Sequence, residues 1–73
     1  MQTITKNKKY IVSTVKISKG LYETMVFPIT DIKFAWIFPI WEHSWEEVDK
    51  INFYHWYEQN YYHQLMVNYW STK

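Results

Sequence analysis

The histidines are the first side chains of this sequence whose spacing could support chemistry. His55, Gln59 and His63 recur every four residues, which is typical of one helix face. At 1.5 Å per residue, His55 and His63 would lie about 12 Å apart along that helix, whereas the ligands of one zinc ion lie about 2 Å from the metal. His43 or Glu42 could join either histidine only through a tertiary contact. We therefore predict no metal site, and we expect His63 to face the core and hydrogen-bond to a sheet, with His55 at the start of the helix.

The sequence contains no recognisable nucleophile or phosphate-binding motif. It has no cysteine, no Gly-x-Ser-x-Gly motif and a single glycine, so it lacks a nucleophile elbow and a glycine-rich loop. Five acidic residues lie close together in the sequence, and we expect them in the first turns of helices, where the helix dipole favours negative charge. We predict that the protein is not an enzyme and has no catalytic residue and no cofactor. The five acidic residues are Glu42, Glu46, Glu47, Asp49 and Glu58.

Aromatic side chains are the most informative feature of the composition. The chain has 5 Trp, 7 Tyr and 4 Phe among 73 residues, and Trp and Tyr are enriched at binding hot spots. Residues 34–41 form a ring-rich run that includes Pro39, which indicates an edge strand or a loop rather than a central strand. This run either covers a face of the sheet or projects and inserts into a partner. In the second case the predicted partner-binding residues are Trp36, Phe38, Trp41 and Trp45, with Tyr57 and Tyr61 behind them.

A β-hairpin is predicted in the first half of the chain. Residues 9–18 and 21–29 are rich in β-branched and aromatic residues, and Lys19-Gly20 between them predicts a two-residue turn. In that register Lys16 would lie opposite Glu23 as an opposite-charge pair. Both faces of the hairpin are apolar. In a sheet that is covered on one side only, apolar and polar residues should alternate along each strand, so this pattern indicates that both faces are covered.

The second half of the chain is expected to supply a third strand and one helix. A capping-box pattern predicts a helical turn near residues 44–48, and strand-forming residues predict a third strand near 50–54. Apolar residues at helical spacing predict a helix over 55–70. The predicted fold class is α+β, with a small antiparallel β-sheet of two to three strands packed against one C-terminal α-helix in a single domain, residues 1–73.

A chain of this length has little bulk with which to cover two apolar sheet faces. A small domain buries only about 60% of the surface that its unfolded chain exposes, and this sequence has no cysteine with which to form a disulfide. The second face of the hairpin must therefore be covered by the middle segment of the chain, which follows the hairpin, by a second copy or by a partner. Self-association is expected for this reason.

The charge distribution argues against a polynucleotide partner. The net charge is +1, and all eight basic residues are lysines, so no arginine can form a bidentate contact with phosphate. A small nucleotide in an aromatic pocket would need only one or two lysines. No apolar run is long enough for a secretory signal or a membrane span, so we expect a protein of the cytosol that does not bind membranes.

Two blocks of the sequence resemble a group of short phage and bacterial proteins. The first is Val-Ser-Thr-Val at residues 12–15 followed by Tyr-Glu-Thr-Met-Val-Phe at residues 22–27. The second begins with Phe-Tyr-His-Trp-Tyr-Glu at residues 53–58 and continues with His-Gln-Leu-Met-Val at residues 63–67. In this chain His55 takes a cap position that is Ser or Thr in the group. The resemblance implies a hairpin followed by a helix and a phage-related accessory protein, and it implies no catalytic residues.

Three functions remain as hypotheses from the sequence. The first is a phage-derived accessory protein that binds and inhibits a host protein, as an anti-defence inhibitor similar in kind to an anti-CRISPR. The second is a sponge that sequesters a small cyclic or ADP-ribose-type nucleotide. The third is a structural module that forms a homodimer.

Overall fold

The chain folds into five antiparallel strands followed by a helix in a computed structural model that describes all 73 residues. The predicted sheet of two to three strands is therefore wrong, because 52% of the residues lie in strands. The protein is nevertheless a small α+β fold with aromatic clusters. The strands are β1 (Gln2–Ile4), β2 (Tyr10–Ser18), β3 (Leu21–Ala35), β4 (Phe38–His43) and β5 (Asp49–Phe53), and a 3-10 turn (Trp56–Glu58) leads into the helix α1 (Gln59–Trp70).

The long strand β3 organises the sheet. Its first half pairs with β2 on one edge and with β5 on the other, and its second half pairs with β4. Strands β4 and β5 follow one another along the same edge of β3, while β1 extends the sheet beyond β2. The predicted third strand is thus β5, and the ring-rich run forms the turn and most of β4. Pro39 lies in an edge strand, which confirms one of the two expectations for it.

Pro28 explains why β4 and β5 are separate strands. Proline cannot donate to a strand ladder, and Pro28 lies inside β3, between two neighbouring strands. The chain leaves the edge of β3 over residues 44–48, between the pairs Ile29–His43 and Val26–Asp49. In β3 opposite this gap, the carbonyl oxygen of Pro28 accepts a hydrogen bond from the N–H of Ser44 at 2.9 Å.

The predicted helical turn at residues 44–48 is wrong, because this segment is a loop without helical structure. The Ser44 hydroxyl accepts the N–H of Glu46 at 3.1 Å, which is a local turn and not the cap of a helix. The N–H of Val48 already donates to the carbonyl of Val26 at 2.9 Å. Pairing with β3 thus resumes before a helix could form.

The expectation that the acidic residues lie in the first turns of helices is mostly wrong as well. Glu42 forms an ion pair with Lys33 at 3.2 Å, and Glu47 forms one with Lys50 at 3.7 Å. Asp49, in β5, accepts the indole N–H of a core tryptophan at 3.1 Å. Only one of the five lies in a helical turn, namely Glu58.

The two-residue turn at Lys19-Gly20 is confirmed, but the register predicted beyond it is wrong. Ser18 pairs with Leu21 across the turn, and an irregularity follows at Ile17. Since one additional residue in β2 shifts every later pair by one, Lys16 lies opposite Tyr22 and not opposite Glu23. The positive φ of 73° belongs to Gly20, the residue that tolerates it best.

The helix covers one face of the sheet. Val12 and Val26 lie fully buried beneath Met66 and Val67 of α1, and burial of such side chains is the main source of stability. Tyr10, Ile51 and Trp70 pack around this cluster, and the rings of Tyr10 and Trp70 meet edge to face at 4.9 Å. The predicted helix over 55–70 is confirmed apart from its first turn, which is 3-10.

The opposite face of the sheet, here called the open face, has no helix over it. Ile11 and Phe27 are buried there, but Val15 and Ile17 are substantially exposed. The end of β4 and the loop that follows it cover part of this face, because the rings of His43 and Trp45 pack against Phe27. Of the three covers expected for this face, the middle segment therefore supplies a part, and it leaves Val15 and Ile17 uncovered.

Candidate protein-binding surface

The most exposed apolar part of the protein is a two-stranded hairpin, residues 29–43, which we call the arm. It consists of the second half of β3, a two-residue turn and β4. Pairing of β2 with β3 ends at Tyr10 and Pro28, so the arm continues beyond the rest of the sheet, and the molecule is 39 Å long. Its exposed apolar side chains are Ile32, Phe34, Trp36, Ile37, Phe38 and Ile40.

The turn of the arm presents the most exposed of these side chains. Ala35 pairs with Phe38, which leaves Trp36 and Ile37 as the two turn residues. Trp36 is 88% exposed and has a φ of 63°. A positive φ at the first turn residue of a tight hairpin strongly favours glycine, and a residue with a Cβ is strained there by about 1–2 kcal/mol. Neither the backbone nor core packing accounts for a tryptophan at this position.

The two faces of the arm differ in character. On the face that continues the open face, Ile32 lies opposite Trp41, and Phe34 lies on the same side two residues further along β3. The other face carries Phe38 together with the ion pair between Lys33 and a glutamate of β4. One face of the arm is thus almost entirely apolar, whereas the other mixes charge with rings.

The base of the arm has a cluster of rings on the open face. The His43 ring lies 5.0 Å from that of Phe27 and 4.8 Å from that of Trp45. Trp45 is nevertheless 82% exposed, because it meets its neighbours only edge-on. Trp41 is half-buried and, together with His43, forms the common wall of two clefts of about 410 and 360 Å³. The first cleft is also lined by Gln2, Thr3, Ile4 and Ile11, and the second by Thr30, Glu42 and Trp45.

The structure does not bring the six predicted partner-binding residues together. Trp36 and Phe38 lie at the tip of the arm, and Trp41 and Trp45 lie at its base. Tyr57 and Tyr61 lie at the start of the helix, at the other end of β3, where the ring of Tyr62, the neighbour of Tyr61, contacts Phe53. The predicted set therefore falls into three groups. Trp36, Phe38 and Trp41 belong to the arm, and Trp45 lies in the loop next to its base.

The start of the helix forms a second, separate aromatic surface. The rings of His55 and Tyr57 stack at 5.1 Å, and Trp56 meets Tyr57 edge to face at 6.0 Å. Trp56 is exposed and lies in the 3-10 turn that precedes the helix, not in the helix itself. His55 begins the helical segment as expected, without a side-chain cap.

His63 lies in the core within a buried hydrogen-bonded network, as predicted. Its Nε2 shares a hydrogen bond of 2.8 Å with the Thr3 hydroxyl, and its Nδ1 shares one of 2.7 Å with the Thr14 hydroxyl. Thr14 in turn contacts the Thr24 hydroxyl at 2.8 Å. Burial, and to a smaller extent the positive charge of the Met1 amino group, lowers the pKa of His63 below its ordinary value. These contacts bind the helix to β1, β2 and β3 and account for both ring nitrogens.

Part of the exposed apolar surface was not predicted from the sequence. Ile32, Phe34, Ile37 and Ile40 were not among the predicted contacts, although residues 32–34 alternate apolar, charged, apolar in the manner of a strand. Tyr54 and Trp56 were also missed at the start of the helix. No three His, Cys, Asp or Glu side chains are grouped closely enough to hold a metal ion. The helix α1 is too short and too polar to cross a bilayer.

Comparisons of the chain with protein families, with curated proteins and with solved structures find no match.

Proposed function

We propose that this protein binds and blocks another protein by means of the arm. The observation that carries the proposal is Trp36, a strained and almost fully exposed tryptophan at the tip of a projecting hairpin. Strain of this kind persists where a function requires the residue. A large ring in solvent contributes nothing to the fold, but it is well suited to fill a pocket of a partner.

The composition of the arm supports insertion into a partner. Phe34, Ile37 and Phe38 surround Trp36 and are each more than half exposed. Monomeric proteins rarely expose contiguous apolar patches of this kind, and such patches commonly mark interaction sites. A two-stranded hairpin with apolar residues on both sides fits a groove, in which both sides would be covered.

The resemblance in the hairpin and the helix supports a more specific proposal. It implies a phage-derived accessory protein, so the proposed partner is a protein in the cytosol of the host cell, and the proposed effect is inhibition of a defence system. The matching blocks, residues 12–15, 22–27, 53–58 and 63–67, lie mainly in the scaffold. The arm lies between them, outside the blocks that carry the resemblance, and this is where a specific target would be selected.

The two clefts favour a protein partner over a small nucleotide. Neither cleft has a lysine in its lining, and the second includes Glu42. The strong contacts to a phosphate group are charge-assisted. With no lysine in either lining, the arrangement of charge gives the nucleotide-sponge hypothesis no support.

The proposal is tested with two matched double variants. Trp36→Ala/Phe38→Ala removes the tip of the arm, and Tyr57→Ala/Tyr61→Ala removes the same number of exposed rings at the start of the helix. A host protein captured by the immobilised wild-type chain would be identified, purified and measured by calorimetry. Because hot-spot truncations cost 2 kcal/mol or more, we expect the tip variant to bind at least about 30-fold more weakly and the helix variant to bind normally.

Two outcomes would contradict this proposal. The first is a partner that binds the tip variant with unchanged affinity while far-UV circular dichroism shows both variants folded. The second is a stabilisation of several degrees by one nucleotide in a thermal-shift panel of cyclic and ADP-ribose-type compounds, which would favour the sponge hypothesis.

A further inference from the structure

The two outer edges of the arm are not equivalent. In the pairs Ala35–Phe38 and Lys33–Ile40, the backbone N–H and C=O groups of Phe38 and Ile40 point toward β3. The backbone of Pro39, which lies between them, therefore points outward. Proline lacks the N–H that a further strand would need, and it is a common means of blocking a free edge. The β4 edge is thus closed to a further strand, and the arm is left with the β3 edge.

The outer edge of β3 is open in the arm. Because Ala35 and Phe38 flank a two-residue turn, Ala35, Lys33 and Asp31 form the hydrogen-bonded pairs with β4, and Ile32 and Phe34 form the alternating pairs without hydrogen bonds. The N–H and C=O groups of Ile32 and Phe34 therefore point away from β4. The N–H of Ile32 donates to the side chain of its own neighbour Asp31, at 2.8 Å and in solvent. This carboxylate occupies the place that the carbonyl of another strand would take.

We propose that a second copy of this chain pairs with this edge, antiparallel and about a two-fold axis at Ile32. Ile32 of each copy would then exchange two backbone hydrogen bonds with Ile32 of the other. Asp31 would lie opposite Lys33 of the second copy, and Lys33 opposite its Asp31. The interface thus contains two opposite-charge cross-strand pairs, which stabilise antiparallel pairing.

The charges favour this register over its neighbours. An axis at Asp31 would place two aspartates opposite each other, and an axis at Lys33 would place two lysines opposite each other, and like charges directly opposite are destabilising. An axis at Phe34 would leave both charged residues without a partner of opposite sign. The segment is self-complementary at Ile32 alone, which is why we assign the edge to a second copy and not to a foreign strand.

The surroundings of the edge fit a short pairing of this kind. The N–H of Ile29 donates to the carbonyl of Lys9 at 2.8 Å, so the chain leading into β2 blocks the edge below residue 30. The free segment is therefore residues 30–35, long enough for one two-fold pairing. Pairing would also bring Ile32 and Phe34 of the two copies together on the open-face side. This proposal does not depend on the arm binding another protein.

The experiment reverses the charge of one residue of the Asp31–Lys33 pair in each of two variants. In the Asp31→Lys variant, lysines face lysines across the axis, and in the Lys33→Asp variant, aspartates face aspartates. Each variant alone should dimerise at least about tenfold more weakly than the wild type by analytical ultracentrifugation. A one-to-one mixture of the two places two lysines opposite two acidic residues, so it should recover the dimer at wild-type concentration. The control Glu46→Lys makes the same change of charge in an exposed loop and should leave dimerisation unchanged.

Three outcomes would overturn the proposal. They are a wild-type chain that stays monomeric as its concentration is raised a hundredfold, single variants that dimerise normally, and a mixture of the variants that stays monomeric. Circular dichroism of each variant checks the fold, because Lys33→Asp also removes the exposed ion pair with Glu42. Recovery in the mixture cannot arise from a folding defect, since both chains in it carry their substitution.

Discussion

His63 is only 4% exposed, and its burial makes the stability of the protein depend on pH. Its pKa is lowered in the folded state, so below the ordinary value of 6.5 the unfolded chain binds a proton that the folded chain does not. The corresponding stability is fully present above about pH 6.5 and is lost as pH falls toward the folded-state pKa, by at most about 1.4 kcal/mol per pH unit. Urea unfolding at a series of pH values between 7 and 5 measures this slope.

The matched control for this prediction is another histidine of the same chain. His55→Gln changes an exposed ring outside the core, so the pH slope should stay as in the wild type. His63→Gln should be less stable at pH 7, because it disturbs the contacts with Thr3 and Thr14, but its stability should vary less between pH 7 and 5. An unchanged slope in His63→Gln would mean that another group controls the acid sensitivity.

The strain at Trp36 gives a prediction about stability that is separate from binding. Trp36→Gly removes a strain of about 1–2 kcal/mol but gives the unfolded chain more freedom, at a cost of about 0.5–1 kcal/mol. We expect it to be at least as stable as the wild type and about 1 kcal/mol more stable than Trp36→Ala, which keeps the strain. Thermal unfolding of the three proteins decides this point. Equal stability of the Gly and Ala variants would show that the turn is not strained.

At the level of the strands and the helix, local sequence patterns were sufficient to predict an element where the segment pairs with its neighbour in the sequence. Gly20 marks the first turn, and the periodic apolar residues of α1 mark the helix. The register beyond the turn could not be obtained in this way, because nothing in the sequence marks the additional residue at Ile17. The strand β1 was missed because three residues, Gln2–Ile4, become a strand only through pairing with β2.

The exposed surface that we propose for binding was predicted only in part for a similar reason. The ring-rich run and Pro39 correctly indicated an edge strand, and the high exposure of Trp36 and Phe38 fits the expectation that the run projects. The sequence could not show that Trp41 would be half-buried at the base of the arm. Nor could it place Tyr57 at the far end of β3, because that placement follows from the pairing of β5 with β3.

At the scale of the whole molecule, the fold is divided between a core and an extension. The buried cluster of Val12, Val26, Met66 and Val67 lies where α1 crosses β2 and β3. The arm leaves the sheet beyond the point where β2 ends, and its backbone bonds are formed largely within itself. The side chains that hold the protein together and those proposed to bind a partner are therefore different sets.

This division predicts that the arm can be removed without loss of the fold. Replacing residues 31–42 by Asn-Gly would leave Thr30-Asn-Gly as a three-residue loop, a common hairpin connection, and would keep the pair Ile29–His43. Because the buried cluster is untouched and a shorter loop costs less closure entropy, we expect cooperative thermal unfolding with a change in the free energy of unfolding of less than about 2 kcal/mol. The same variant should lose both partner binding and dimerisation. Loss of cooperative unfolding would show instead that the arm belongs to the folding core, and the separation between scaffold and binding surface would then be wrong.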